Sequence, residues 1–244
     1  AAVSDGSFSP TASYGTAAWI IQDEGTGSEL TGCMIIPGQP DDLDAYRCEL
    51  GGLYGIVVIV DALCAYHSVT SGSITRACDG EQALRHATNV YDWISPARPH
   101  FDLIAAIWAR NARTPLTWES KHVKGHQDEG RHASLDRWAH LNVRMDAQAK
   151  AHFQATIGDA SRILQQKIAG EPWALWIGNR KVVRKLWEEV IHHVQGPPCK
   201  QYWDDKHRFE PGDSEGVDWQ ATAKAMKTVP HSRRIYVTKH SAGI

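Results

Sequence analysis

Four carboxylates, Asp5, Glu49, Asp79 and Asp146, fall where the chain enters, leaves or lines a regular element. Asp5 follows the first apolar residues in Val3-Ser4-Asp5-Gly6-Ser7, and Glu49 lies inside the first long helical pattern, in Tyr46-Arg47-Cys48-Glu49-Leu50. Asp79 ends the strand-like run 74–78, and Asp146 sits in a second helical pattern, Val143-Arg144-Met145-Asp146-Ala147. Carboxylates so distant in sequence are no local charge run, and in one pocket they repel unless cations neutralise them. Hard oxygen ligands point to Mg²⁺ or Mn²⁺. With the segment Val123-Lys124-Gly125-His126 ahead of the last carboxylate, the set fits a metal-dependent nuclease. Phosphodiester hydrolysis needs a deprotonated water, cover for charge on the phosphoryl oxygens and a stabilised leaving oxygen, and two divalent ions about 4 Å apart supply all three.

These residues must be held by a fold that brings distant elements together. Strand candidates at 17–22 and 30–36 flank the polar turn Glu24-Gly25-Thr26-Gly27-Ser28, so with the strand around Asp5 a hairpin-linked antiparallel trio is expected. The long helix follows, with Leu50, Leu53, Val57, Val60 and Cys64 recurring at intervals of three and four. A strand at 74–78, helices at 80–86 and 101–110, a strand at 116–124 and a helix at 135–152 complete the series. Pro96 and Pro99 keep the connection before Phe101 from being one continuous helix. The order β-β-β-α-β-α-α-β-α predicts an α/β fold, a mixed five-stranded sheet flanked by helices.

At Asp5-Gly6-Ser7, Arg47-Cys48-Glu49-Leu50, Cys78-Asp79-Gly80, Val123-Lys124-Gly125-His126 and Asp146-Ala147-Gln148-Ala149 the chain resembles the type 1 ribonuclease H family, above all the ribonuclease H domains of retroelement reverse transcriptase polyproteins. The resemblance covers roughly residues 1–155 and implies a ribonuclease H-like sheet. It implies an endonuclease that cuts the RNA strand of RNA/DNA hybrids with two Mg²⁺ ions, Mn²⁺ being an alternative. Asp5 would bridge both ions, Asp146 would help hold the one that activates water, and Glu49 with Asp79 would hold the one facing the leaving group. His126 would assist proton movement and product release, a task suited to imidazole near neutral pH. Gly6, Ser7, Gly80 and Lys124 would contact nucleic acid. Two departures stand out: Ala45 and Tyr46 occupy places where the family often carries polar readers of the RNA 2′-hydroxyl, and 88–100 holds only Arg98 in place of a basic handle. Alternatives are another two-metal nuclease or integrase on the same fold, or an inactive hybrid-binding connection module.

Each residue also has a plain structural reading. Asp5-Gly6 is a common turn pair, Asp79 could cap the following helix, and Lys124 could be a solvated strand end. Asp136, near a helix start, rivals Asp146, because twenty residues separate His126 from Asp146.

Composition frames the rest. The five cysteines, Cys33, Cys48, Cys64, Cys78 and Cys199, form no Cys-x-x-Cys pair and read as reduced thiols of an intracellular protein, in cytoplasm or nucleus. No run of eighteen apolar residues occurs, so no membrane span is expected, and the chain reads as a piece of a longer polypeptide, which the resemblance implies also carries a reverse transcriptase domain. Residues 1–160 carry 12 Lys and Arg against 19 Asp and Glu, a balance of −7, whereas 161–244 carry 14 against 9, a balance of +5. A catalytic domain at 1–155 and a smaller, mainly helical accessory subdomain at 156–244 are expected, the latter touching phosphates or docking on a polymerase domain. Within it, 156–170 reads as a helical connector, 173–179 as a strand, 182–194 as a helix ended by the loop Gly196-Pro197-Pro198, and 219–227 as a last helix before Pro230. Five of the ten tryptophans, Trp173, Trp176, Trp187, Trp203 and Trp219, lie there, as core or as base-stacking platforms.

Overall fold

The computed structural model describes residues 1–88, 94–95, 98–125, 135–159, 166–207 and 218–242. Strands β1 (Ala2–Ser9), β2 (Tyr14–Gln22) and β3 (Glu29–Ile35) form the antiparallel trio, followed by α1 (Ala45–Tyr66), β4 (Ser73–Cys78), α2 (Glu81–Thr88), α3 (Phe101–Asn111), β5 (Thr117–His122) and α4 (Arg137–Thr156). The sheet order is β3-β2-β1-β4-β5, with β4 parallel to both β1 and β5. This is the mixed five-stranded α/β sheet expected from the order of patterns.

Alternation along β1 sorts its side chains between two helical layers. Ala2 packs with Ile56 and Val60 of α1, whereas Val3 joins Ala139, Leu141, Met145 and Ala149 of α4 on the opposite face. Helix α1 is long and apolar enough to cross a bilayer by length and composition alone, but here Leu50, Leu53, Tyr54 and Val57 pack against α2 and α3 in the main core. Its closest approaches to the sheet are at glycines. A Cβ at Gly52 would lie 2.8 Å from Ser4 Cβ, and one at Gly55 would lie 2.5 Å from Trp19 Cδ1, so the helix axis sits closer to β1 and β2 than side chains would permit. Asp44 caps α1 by accepting the Arg47 N–H at 2.7 Å, and Asp136 caps α4 by accepting the Ala139 N–H at 2.8 Å.

The first compact unit runs to Trp187, well beyond the boundary expected after residue 155. Ile168 enters the main core, Val182 and Val183 are buried, and the Tyr54 hydroxyl donates to Ala169 O at 2.6 Å. In place of one strand at 173–179 there is a hairpin, β6 (Leu175–Ile177) and β7 (Arg180–Val182), turning at Gly178 in the left-handed region (φ 61). Of the connector 156–170, residues 160–165 lie outside the described residues, and 166–170 carry no helix.

The second unit, Glu188–Ile244, holds most of α5 (Leu186–His207), then α6 (Trp219–Thr228) and α7 (His231–Ala242). The loop expected at Gly196-Pro197-Pro198 is absent, because α5 continues through both prolines. Proline's fixed φ suits a helix, and the carbonyls it deprives of donors belong to His193 and Val194, exposed residues whose backbone water can serve. Helix α7, beyond Pro230, was not expected. Trp173, Trp176 and Trp187 are exposed, which removes them from the expected core, and the side chains of Trp203, Trp219 and Cys199 lie outside the described set.

The glycine contact between α1 and the sheet yields a first prediction. Gly52→Val should lower the unfolding free energy by roughly 1–3 kcal/mol, since a branched side chain meets Ser4 in a close-packed layer. Gly158→Ala, with nothing within 4 Å of the new methyl, should stay within about 0.5 kcal/mol of the parent in the same urea titration.

Candidate metal centre

Parallel pairing sets the first two carboxylates side by side. Val3 pairs with Ala77, so Asp5 and Asp79 are each two residues further along neighbouring chains, at the end of the sheet where parallel strands present ligands. Asp5 shares the face of Val3, the side on which α4 packs, and α4 brings Asp146 there. Asp5, Glu49, Asp79 and Asp146 line one pocket of about 250 Å³, together with Gly6, Ser7, Phe8, Asn142, Val143 and Lys150.

Glu49 arrives through the close approach of α1. A Cβ at Gly6 would lie 2.7 Å from the Cys48 carbonyl carbon, and without one the Gly6 N–H donates to Glu49 Oε1 at 3.3 Å and to Asp5 Oδ1 at 2.7 Å. On its other side a Cβ at Gly80 would meet Glu49 Cγ at 2.9 Å. The Cys78 thiol donates to Glu49 Oε2 at 3.0 Å, and the Gly80 N–H donates to that sulfur at 3.3 Å. Donor atoms of Glu49, Cys78 and Asp79 lie within 4.8 Å of one another. Gly6 and Gly80 therefore have a packing reason to be glycine, and both their N–H groups are engaged inside the site.

The electrostatics follow from this crowding. Burial, then Glu49, Asp79 and Asp146, push the Asp5 carboxyl up to about 9 from an ordinary 3.8. Burial and then Asp79 push Glu49 up to about 7, against the hydrogen bonds it receives. Two neighbouring acids that resist ionisation in the bare protein form a strong electrostatic demand for a cation.

The fourth carboxylate is Asp146 and not its rival. Asp136 caps α4, and ten residues at 1.5 Å each put it about 15 Å along the axis from Asp146. Asp146 Oδ2 accepts from Lys150 Nζ at 2.7 Å, one turn on. One turn earlier stands Asn142, 3 % exposed, which lines the pocket with its Oδ1 buried and unpartnered. The sequence reading missed Asn142 and Lys150, although spacing of four from Asp146 on one helix was a signal for both. Lys124 is exposed, and Ser7 is half-buried at the pocket. His126 lies outside the described residues. Its neighbour Gly125 abuts the site, for a Cβ there would lie 2.6 Å from Asp79 Oδ2.

No protein-family model matches this chain, and no curated protein matches it. Among solved structures it is similar to ribonuclease H1 from the halophilic archaeon Halobacterium salinarum NRC-1, at 16% identity and a TM-score of 0.40, over 64% of this chain and 97% of that one. It is also similar to LC11-RNase H1 in complex with an RNA/DNA hybrid, at 13% identity and a TM-score of 0.42, over 62% and 93%.

The raised Asp5 carboxyl fixes a pH dependence for the metal-free chain. Between pH 3.8 and about 9 the folded state keeps a proton that the unfolded chain has lost, so stability falls as pH rises through that window. Thermal melts in chelator should show the midpoint dropping from pH 5 to pH 8.5. Asp5→Asn should raise the midpoint at pH 8 by a few degrees and flatten the slope. An unaltered slope in the variant would show that Asp5 is ionised in the folded protein.

Proposed function

We propose that this chain is a ribonuclease H that hydrolyses the RNA strand of RNA/DNA hybrids, within a retroelement polyprotein that also carries a reverse transcriptase domain. The supporting observation is the convergence of Asp5, Glu49, Asp79 and Asp146 on one pocket, in the chain order and sequence contexts of the family that the sequence resembles.

The pocket fits divalent cations. Its carboxylates offer hard oxygen donors, and the upward shifts of Asp5 and Glu49 express the positive charge that the bare site lacks. Asp5, Glu49, Asp79 and Asp146 would hold two Mg²⁺ ions, which supply Lewis acidity and lower the pKa of bound water. The protein's own groups do the rest. Gly6 N–H and the Cys78 thiol hold the two oxygens of Glu49 apart and fixed. Lys150 tethers Asp146 from the rim, and the unpartnered Asn142 carbonyl faces the same space as an acceptor for water or a sugar hydroxyl. The Gly6 and Gly80 N–H groups are engaged within the site and Gly80 O accepts the Leu84 N–H at 2.9 Å, so contacts with nucleic acid fall to the Gly6 carbonyl, the Ser7 hydroxyl and the exposed Lys124. Tyr46, in the place of a polar 2′-hydroxyl reader, is tied to His86 Nδ1 through its hydroxyl at 2.5 Å. Discrimination of RNA from DNA then rests on backbone groups and Ser7. His126, following Gly125, moves protons or aids product release.

The test is incubation of the chain with labelled RNA/DNA, RNA/RNA and DNA/DNA duplexes in Mg²⁺ and in chelator. Only the RNA of the hybrid should be cut, and only with metal. Asp79→Asn should abolish turnover while keeping the melting midpoint, and His126→Ala should slow turnover on the order of 10² with metal affinity retained. Cutting of all-DNA duplex, or cutting undiminished by chelator, would overturn the assignment.

A further inference from the structure

The metal centre leaves a buried charge network without a role. Arg47, Asp102 and Lys181 are 0 %, 1 % and 2 % exposed. Arg47 grips Asp102 with both terminal nitrogens, at 2.9 and 3.0 Å, and its Nε donates to Pro37 O at 2.7 Å. Lys181 Nζ, reaching in from β7, donates to the same carboxylate at 2.9 Å and also bonds Glu171. His100 stands 3.3 Å from Arg47 through Nδ1 and 2.8 Å from the α1 cap Asp44 through Nε2. Burial alone would push the Asp102 carboxyl up, yet Arg47 and Lys181 hold it well below the carboxylate range.

The cost of desolvating such a cluster is repaid only by tight geometry, and that geometry grips one place, the first turns of α1. Arg47 precedes Glu49 by two residues on this helix. A rigid turn held by Arg47 on the α3 side must present Glu49 on the sheet side, where Gly6 and Cys78 receive it. Lys181 is therefore the far end of a chain of contacts, Lys181 to Asp102 to Arg47 to α1, that ends at the pocket. The same segment closes on the residues before α1 and before α3 as well: Arg180 and Arg184 pair with Asp42 at 3.3 and 3.4 Å, and Val183 O accepts the His100 N–H at 3.0 Å.

We propose that Lys181 is a positioning residue for Glu49, acting through Asp102 and Arg47, and that residues 166–187 belong to the catalytic unit and brace its metal centre from outside the pocket. The inference rests on the reading of Glu49 as a metal ligand. It concerns the full chain, in which 166–187 cannot be removed without stripping Ile168, Val182 and Val183 from the core.

The experiment compares the full chain with Lys181→Met, Lys181→Gln and Lys181→Arg, reading Mn²⁺ affinity by titration calorimetry and kcat and KM on hybrid substrate. Lys181→Met should weaken Mn²⁺ binding about tenfold and lower kcat by a similar factor, with KM for hybrid nearly unchanged, and Lys181→Arg should recover most of both losses. Mn²⁺ affinity and kcat equal to the parent's, whatever the melting midpoint, would make Lys181 structural only and overturn the proposal. Should the methionine variant fail to fold, Lys181→Gln, neutral and too short to span the same distance, decides by the same two readings: losses in Mn²⁺ affinity and kcat support the proposal and parental values overturn it. A parent that binds Mn²⁺ through Asp5 and Glu49 without cutting hybrid would sink the proposed activity while leaving Lys181 to be judged by calorimetry. A parent that binds no Mn²⁺ would overturn both.

Discussion

The structure depends on how closely α1 can lie against β1. Gly52 and Gly55 on the helix and Gly6 on the strand remove the side chains that would hold the two apart. At ordinary helix-to-sheet spacing Glu49 would fall short of the Gly6 N–H, and the pocket would contain three carboxylates on sheet and α4 with no fourth from above. Glycine inside a helix costs about 1 kcal/mol relative to alanine, so three of them in α1 (Gly51, Gly52, Gly55) are a local disadvantage. Packing of Leu50, Leu53, Tyr54 and Val57 against α2 and α3 offsets it on the other side of the helix.

That closeness creates the electrostatic problem that the site then exploits. Asp5 and Glu49 both resist ionisation when bare, because burial and mutual repulsion penalise the anions together. A structural site would have paired them with Lys or Arg, as Asp102 is paired with Arg47 and Lys181 elsewhere in the same unit. Among the described residues that line the pocket, Lys150 is the one cation, placed on Asp146 at the rim and more than half exposed. The same protein thus treats two buried acid groups in opposite ways. One is neutralised internally and holds a helix, while Asp5 and Glu49 receive hydrogen bonds but no cation from the described residues.

The sheet and its helices were legible because their signals are periodic and local. Alternation and turn residues located β2 and β3, intervals of three and four located α1, and the four carboxylates were recognisable from their flanking residues. What was not legible depended on contacts between distant residues. Nothing in Gly51-Gly52 or Gly55 says which strand they meet, and Asn142 is an ordinary helix residue until its amide is seen buried at the pocket. Asp136 and Asp146 look alike in sequence and separate only when one is found capping and the other lining the site. The boundary after residue 155 was placed by a change of pattern, but the chain returns to the first core at Ile168, in one cluster with Leu53, more than a hundred residues earlier.

The charge asymmetry shows the same difference between composition and structure. A surplus of +5 over residues 161–244 looks like a surface for phosphates, set against a first part at −7. Three of those cations, Arg180, Lys181 and Arg184, lie in the first compact unit and pair with Asp42 and Asp102, acids of the first part. Opposite balances on either side of residue 160 are then partly one set of ion pairs divided by the count. An acid buried beside the start of α1 needs its counter-charge in the same fold, and the chain supplies it from β7 and the residues just after it. Salt should affect the buried Lys181–Asp102 pair much less than it affects contacts with phosphate, since screening acts on charges that water and ions can reach. The cations left to meet nucleic acid from this part of the chain are therefore fewer than its composition counts.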